Sequence, residues 1–204
     1  MSGGEAVAIP ISQHTIGPFF PQTFFREGDN DLARRTAEAP PTRRGEPGLL
    51  RGRVLREGGV PCVNAILEAW QADAGGRFRH PADPESPRAD PDFCGWGRAW
   101  TDAEGRYEFR TILPGGFEEP AGPRAPHIDL LVMASGLMRP LATTLFFPDF
   151  AAANAADPVL TLVPPARRAR LVAAAAGEAE GRRVFQLDLR LRGSVEEETP
   201  FFIE

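Results

Sequence analysis

The sequence contains no lysine; all 23 of its Lys and Arg positions are arginine. Schiff-base and lysine-nucleophile chemistry are therefore closed to it. Tyrosine occurs once, at Tyr107, histidine three times, at His14, His80 and His127, and cysteine twice, at Cys62 and Cys94. Two cysteines far apart and in no metal-type spacing read as free core thiols in a reducing cytosol, not as a disulfide framework. No apolar run approaches the roughly 18 residues that span a bilayer. The N-terminus lacks a basic segment followed by an apolar run, so no secretion signal is expected and the protein is read as cytoplasmic. There is no Gly-x-Ser-x-Gly elbow, phosphate loop or dinucleotide fingerprint. With a net charge of −5 and no basic stripe interleaved with aromatics, nucleic acid is a poor partner.

What is present is β-strand signal. The 204 residues, 42% of them hydrophobic, suffice for one domain with a real core. Leu50–Leu55, Ala65–Ala72, Ile128–Ser135 and Leu141–Phe147 read as strands, and Arg183–Arg192 alternates apolar and polar residues along its length. Gly97–Thr101, the turn Asp102–Gly105 and Arg106–Ile112 form a β-hairpin signature with a four-residue turn. Ala-rich Phe150–Asp157 predicts a short helix, and Ala166–Ala176, after Pro164 and Pro165 and before Gly177, predicts the one good helix. Seven or eight strands at short intervals with late helices make an all-β protein, an antiparallel β-sandwich. Residues 10–25 carry four Phe and three Pro, an apolar density that needs a surface to cover.

One stretch looks chemical. Pro114–Asp129 is a Gly/Pro-rich loop that runs into the most apolar strand and carries His127. His127 and Asp129 are two apart, so on a strand they share a face. One histidine beside one aspartate is a weak metal signal, and a lone strand histidine is more often a hydrogen-bonded core residue. Composition and spacing by themselves stop at a β-sandwich of undeclared function.

Several segments, in order along residues 11–203, resemble the intradiol ring-cleaving dioxygenases. They are Thr15-Ile16-Gly17-Pro18-Phe19-Phe20, Leu67-Glu68-Ala69-Trp70-Gln71-Ala72-Asp73 through His80, Phe93-Cys94-Gly95-Trp96-Gly97-Arg98, Thr101 through Gly115, Pro126-His127-Ile128, Leu145-Phe146-Phe147-Pro148-Asp149 and Val184 through Gly193. That family holds non-haem Fe(III) with two tyrosines and two histidines, a hard-donor set suited to a ferric ion. Matched motif by motif, the two tyrosine positions fall here at Phe78 and Phe117, and the two histidine positions at His127 and Asp129. Two phenolates cannot come from a chain with one tyrosine, so these four read as vestigial metal-site positions, with no metal bound and no catalytic residue in this chain.

Some members of the family pair an iron-free α subunit with a homologous iron-bearing β subunit, and this sequence resembles α. The resemblance then implies an obligate hetero-oligomer of αβ units with Fe(III) held by the partner, and 3,4-dihydroxybenzoate and O2 meeting at a shared site. It implies that residues 1–48 form an N-terminal arm and loop that pack on the partner, with residues 49–204 as the sandwich core. Thr15, Ile16, Gly17, Pro18 and Phe19 would line the partner's substrate pocket, a task for which a Gly-Pro pair is suited because backbone can approach a ligand closely. Arg124 matches an active-site arginine of β and reads here as a remnant or an internal salt-bridge partner. Where α chains often carry Ala-Arg-Gly, this one has Ala134-Ser135-Gly136, so that positive charge is lost or supplied by Arg139. Three rivals stand beside this reading: a stand-alone module that binds an aromatic acid, a self-sufficient dioxygenase with altered ligands, and a secreted disulfide-linked sandwich, which would need a signal peptide.

Overall fold

The computed structural model describes residues 25–202. Among the described residues, eleven strands form two main sheets and a small hairpin. In the first sheet β1 (Pro47–Leu55) lies centrally. Antiparallel β4 (Arg106–Ile112) flanks it on one side. On the other, β10 (Arg182–Gln186) and β11 (Leu189–Arg190) pair with it in parallel, and β9 (Ala174–Ala179) forms the edge beyond β10. The second sheet is antiparallel throughout, in the order β3 (Trp96–Trp100), β2 (Ile66–Trp70), β7 (His127–Met133), β8 (Leu141–Phe146). A sandwich of mostly antiparallel sheets is thus the architecture, as the strand spacing implied.

The core lies between the sheets. From the first come Leu50, Val54, Tyr107, Phe109 and Phe185; from the second come Leu67, Ala69, Ile128, Leu130, Val132 and Leu145. Along β7 the inward residues are Ile128, Leu130 and Val132. Strand alternation therefore turns His127 and Asp129 to the outer face of that sheet. There a second apolar cluster of Ala125, Phe146, Leu160, Val163 and Leu171 covers part of the face. Segment 25–46 packs on the chain's own sandwich: Leu32 is fully buried in the main core and Asp31 bridges to Arg110.

Five expectations need correction. The stretch 97–112 is not a hairpin: β3 pairs with β2 and β4 with β1, so the turn Asp102–Gly105 carries the chain from one sheet to the other. The turn signal specifies a reversal, not the ladder partner, and each strand finds its partner in a different sheet. The helix expected over 166–176 stops early, as one turn, α3 (Pro165–Arg168), and a 3-10 turn ending at Leu171. Its alanines then join edge strand β9, where Gly177 at φ 80° absorbs a bulge opposite Arg183–Phe185. Pairing with β10 overrides alanine's helix preference. The strand expected over 183–192 breaks after Gln186 into β10 and β11. One short helix was not expected from the sequence, α2 (Pro158–Leu162), which follows α1 (Ala151–Ala156). Finally, Pro114–Asp129 is not all loop, since β5 (Phe117–Glu119) and β6 (Gly122–Arg124) pair within it. Both cysteines are free; Cys62 is buried, but Cys94 is partly exposed instead of lying in the core.

Candidate functional site: a ring-and-guanidinium cluster on the outer sheet face

The four positions matched to metal ligands come together in space. Phe78 packs edge-on against Phe117 at a centroid distance of 5.0 Å, Phe117 lies 5.5 Å from the His127 ring, and His127 lies 5.9 Å from Phe146. Trp70 stacks on Phe78 at 5.8 Å. Two glycine turns make this approach possible. A Cβ on Gly76 would lie 2.1 Å from the Gly116 carbonyl oxygen, and one on Gly115 would lie 2.5 Å from the Gly76 nitrogen. The backbones of the two turns are in direct contact, and each turn delivers one phenylalanine. His80 is exposed at the edge of Trp70, and His14 lies outside the described residues, as do Thr15–Phe19.

His127 is buried and both its ring nitrogens are engaged. Nδ1 donates to the Ala125 carbonyl at 2.6 Å, and Nε2 lies 3.3 Å from Arg124 Nη2 and faces Asp129. Asp129 lies beside it, its Oδ2 3.6 Å from Nε2 and its Oδ1 accepting from Thr144 across the β7–β8 ladder at 2.7 Å. Burial pushes the Asp129 carboxyl up, but His127, the Thr144 hydroxyl and the Arg124 guanidinium together outweigh it and hold it below the usual carboxylate range.

Arg124 is the hub. Its guanidinium is 7% exposed and makes three contacts besides lying 5.9 Å over the Phe117 ring: Nε to Asp157 at 3.0 Å, Nη1 to Glu119 at 3.3 Å, and Nη2 to His127. Asp157 has a side-chain exposure of 0% and accepts from Arg124 Nε, Ala125 N, Val159 N and Leu160 N. It thereby caps α2 and neutralises Arg124 at once. Sequence reasoning missed Asp157. The signal that could have found it is an aspartate immediately before Pro158, an N-cap followed by proline at the first helical position.

The lone tyrosine takes no part in the cluster. Tyr107 is buried on β4 and donates to the Leu187 carbonyl at 2.7 Å, and burial pushes its phenol well above the usual range. As a set for ferric iron the cluster is a poor fit. Two of its members are hydrocarbon rings, and one imidazole and one carboxylate are too few donors to hold the ion.

A cleft of about 570 Å³ opens beside the cluster. Trp70, Phe78 and Phe117 wall it, and Asp83, Glu85, Glu118, Glu119 and Asp129 outnumber Arg124 around it. Such a rim repels a carboxylate ligand. A larger cleft of about 770 Å³ lies where the described chain begins at Phe25. Of its arginines, Arg51, Arg53, Arg98 and Arg106 are each paired with an acid. Arg139 and Ser135 do not line any of these clefts.

The comparisons with known proteins place this sandwich among the dioxygenases. The family described as Dioxygenase matches residues 16–193, and the chain belongs to it. Within it, the chain is similar to the protocatechuate 3,4-dioxygenase alpha chain of Burkholderia cepacia, 39% identical over 195 residues covering 92% of this chain and 94% of that one. The beta chain from the same organism is 39% identical over 155 residues, covering 73% of this chain and 66% of that one. Among solved structures, the catechol 1,2-dioxygenase of Acinetobacter sp. ADP1, inhibited by bound mercury, superposes with a TM-score of 0.61 at 23% identity, covering 85% of this chain and 60% of that one, and so speaks for the fold. Among the described residues, no helix is long and apolar enough to cross a membrane.

Proposed function

We propose that this chain is the iron-free α subunit of a protocatechuate 3,4-dioxygenase. In this reading it assembles with a homologous β subunit that holds the Fe(III). The αβ unit, in the cytoplasm, cleaves 3,4-dihydroxybenzoate between its hydroxyls with O2 to 3-carboxy-cis,cis-muconate, a step in aromatic catabolism. The observation that carries the reading is the cluster itself: Phe78, Phe117, His127 and Asp129 meet as a ligand set would, yet they offer one engaged imidazole and one carboxylate. Similarity to alpha and beta chains of one enzyme supports a pairing of two homologous subunits.

In this reading the chain shapes a shared site through its N-terminal arm. Part of the segment 1–48, residues 25–46, rests on the chain's own sandwich, so residues 1–24 are the part proposed to reach the partner, with Thr15, Ile16, Gly17, Pro18 and Phe19 at its pocket. The acidic rim beside the vestigial cluster disfavours the rival in which this chain alone binds an aromatic acid.

Co-expression tests the proposal. The chain made with a β subunit is expected to yield a coloured, iron-bearing assembly that opens 3,4-dihydroxybenzoate, and the chain made alone a colourless and inactive protein. A chain that is brick-red and active without a partner would sink the reading.

A further inference from the structure

We propose that the outer face of the second sheet binds a small organic ammonium cation, its charge seated between Asp129 and Trp70 and its apolar part in the groove beside them. The inference rests on the iron-free reading above, since a metal held at these positions would claim the same carboxylate. It goes further by naming the class of ligand that the altered site recognises.

Strand register builds the seat. β3, β2, β7 and β8 pair so that Trp96, Trp70, Asp129 and Thr144 fall in one row across the sheet. Their neighbours Ala69, Ile128 and Leu130 belong to the core, so alternation turns the row outward. Two indoles thus run up to a single carboxylate, with Trp70 and Asp129 directly opposed across the β2–β7 ladder. The Asp129 side chain is 48% exposed; its Oδ1 accepts from Thr144, and its Oδ2 has His127 at 3.6 Å but no arginine pair among the described residues. An indole face is the best aromatic partner for a cation, and the adjacent carboxylate supplies the opposite charge. The same row already holds a cation over a ring, because the Arg98 guanidinium lies 5.3 Å from the Trp96 centroid.

There is room for a ligand. A groove of about 500 Å³ lies over this row, within the roughly 300–1,000 Å³ of small-molecule sites, and Val159, Leu162 and Phe202 give it apolar walls. Trp70, Arg124 and Asp129 line both this groove and the acidic cleft, so the two spaces meet at the proposed seat. The other charges do not reverse its sign. Glu68 is paired with Arg98, and Arg124 is buried and held by Asp157 and Glu119. Asp129 is therefore the carboxylate at the groove without a guanidinium partner among the described residues. One imidazole and one carboxylate are too few donors for a metal ion, whereas an organic cation needs only a carboxylate and ring faces.

The probe is benzylammonium chloride, titrated by calorimetry into the full-length chain or its αβ assembly, beside neutral benzyl alcohol and the phenylacetate anion. Benzylammonium is expected to bind at least about tenfold more tightly than benzyl alcohol, phenylacetate to show no binding, and Asp129→Asn to bring benzylammonium down to the level of the alcohol. Benzyl alcohol binding as tightly as benzylammonium overturns the inference, as does a folded Asp129→Asn chain that binds benzylammonium unchanged. Should that variant not fold, as judged by its melting profile, photolabelling of the unmodified chain with a diazirine-bearing benzylammonium decides. Label on the peptides that carry Trp70 or Leu131 is expected, and its absence there overturns the proposal. Iron is counted before any ligand is added. Iron in the chain purified alone removes the iron-free reading and this inference with it, whereas failure of the ligand series on an iron-free chain overturns the inference alone.

Discussion

Replacing Asp157 by alanine strikes the anchor of the whole outer-face cluster. The carboxylate, 0% exposed, accepts from Arg124 Nε at 3.0 Å, Ala125 N at 2.9 Å, Val159 N at 2.9 Å and Leu160 N at 3.0 Å. Breaking a buried pair from one side typically costs about 3–5 kcal/mol, because the other charge stays behind unpaired. Losing an N-cap costs about 0.5–2 kcal/mol. The two overlap, since Arg124 keeps Glu119 and His127, so a total of about 4–6 kcal/mol is expected, a large share of the roughly 5–15 kcal/mol of a typical fold. Asp157→Asn retains an oxygen for the Val159 and Leu160 amides but not the charge, and about 2–3 kcal/mol is expected. Urea unfolding followed by tryptophan fluorescence reads both, and Arg124→Gln in a double-mutant cycle should show coupling of at least about 2 kcal/mol. An Asp157→Ala chain that loses less than about 1 kcal/mol, or a cycle that closes without coupling, would refute the view that this pair holds the cluster.

Three further perturbations test other joints. Asp129→Asn should lower stability near neutral pH and converge on the parent as pH falls. A carboxyl held below its unfolded value of about 3.9 contributes above that value and loses its contribution as it protonates, so pH-dependent melts should meet below about pH 4. Tyr107→Phe removes a buried hydroxyl that donates to Leu187, at a cost of about 1–2 kcal/mol at pH 7. Because burial raises the phenol above its unfolded value, the parent should lose stability above about pH 10, where the unfolded tyrosine ionises, and the variant should be spared that loss in alkaline melts. Gly76→Ala, at φ 75° with its Cβ 2.1 Å from the Gly116 carbonyl oxygen, should cost more than about 2 kcal/mol and loosen the Phe78–Phe117 contact, seen as changed near-UV circular dichroism.

Much of the fold was legible because strand alternation is a local property. Arg106–Ile112 falls where its pattern put it, and the period of two placed His127 and Asp129 on one face of β7. The failures lie where partners are non-local. Nothing within residues 97–112 says that β3 and β4 belong to opposite sheets, because each is claimed by a strand far away in sequence. The alanines at 174–176 were read by propensity, a weak preference that edge pairing with β10 outweighs. Asp157 was invisible as a site residue because its partner Arg124 is 33 positions away, across the whole of β7 and β8.

The sequence by itself determined what this chain lacks. One tyrosine and no lysine are facts of composition, and no folding can add a second phenolate to a chain that encodes one. It also determined the β architecture, through a periodicity that burial of one strand face imposes. Only the tertiary structure decided what fills the place of the missing donors. Phe78 and Phe117 meet because two glycine turns touch, and Arg124 faces His127 because Asp157, brought in by a later helix, holds the guanidinium there. Donor chemistry belongs to residues one at a time, whereas occupancy depends on distances between residues that only packing sets.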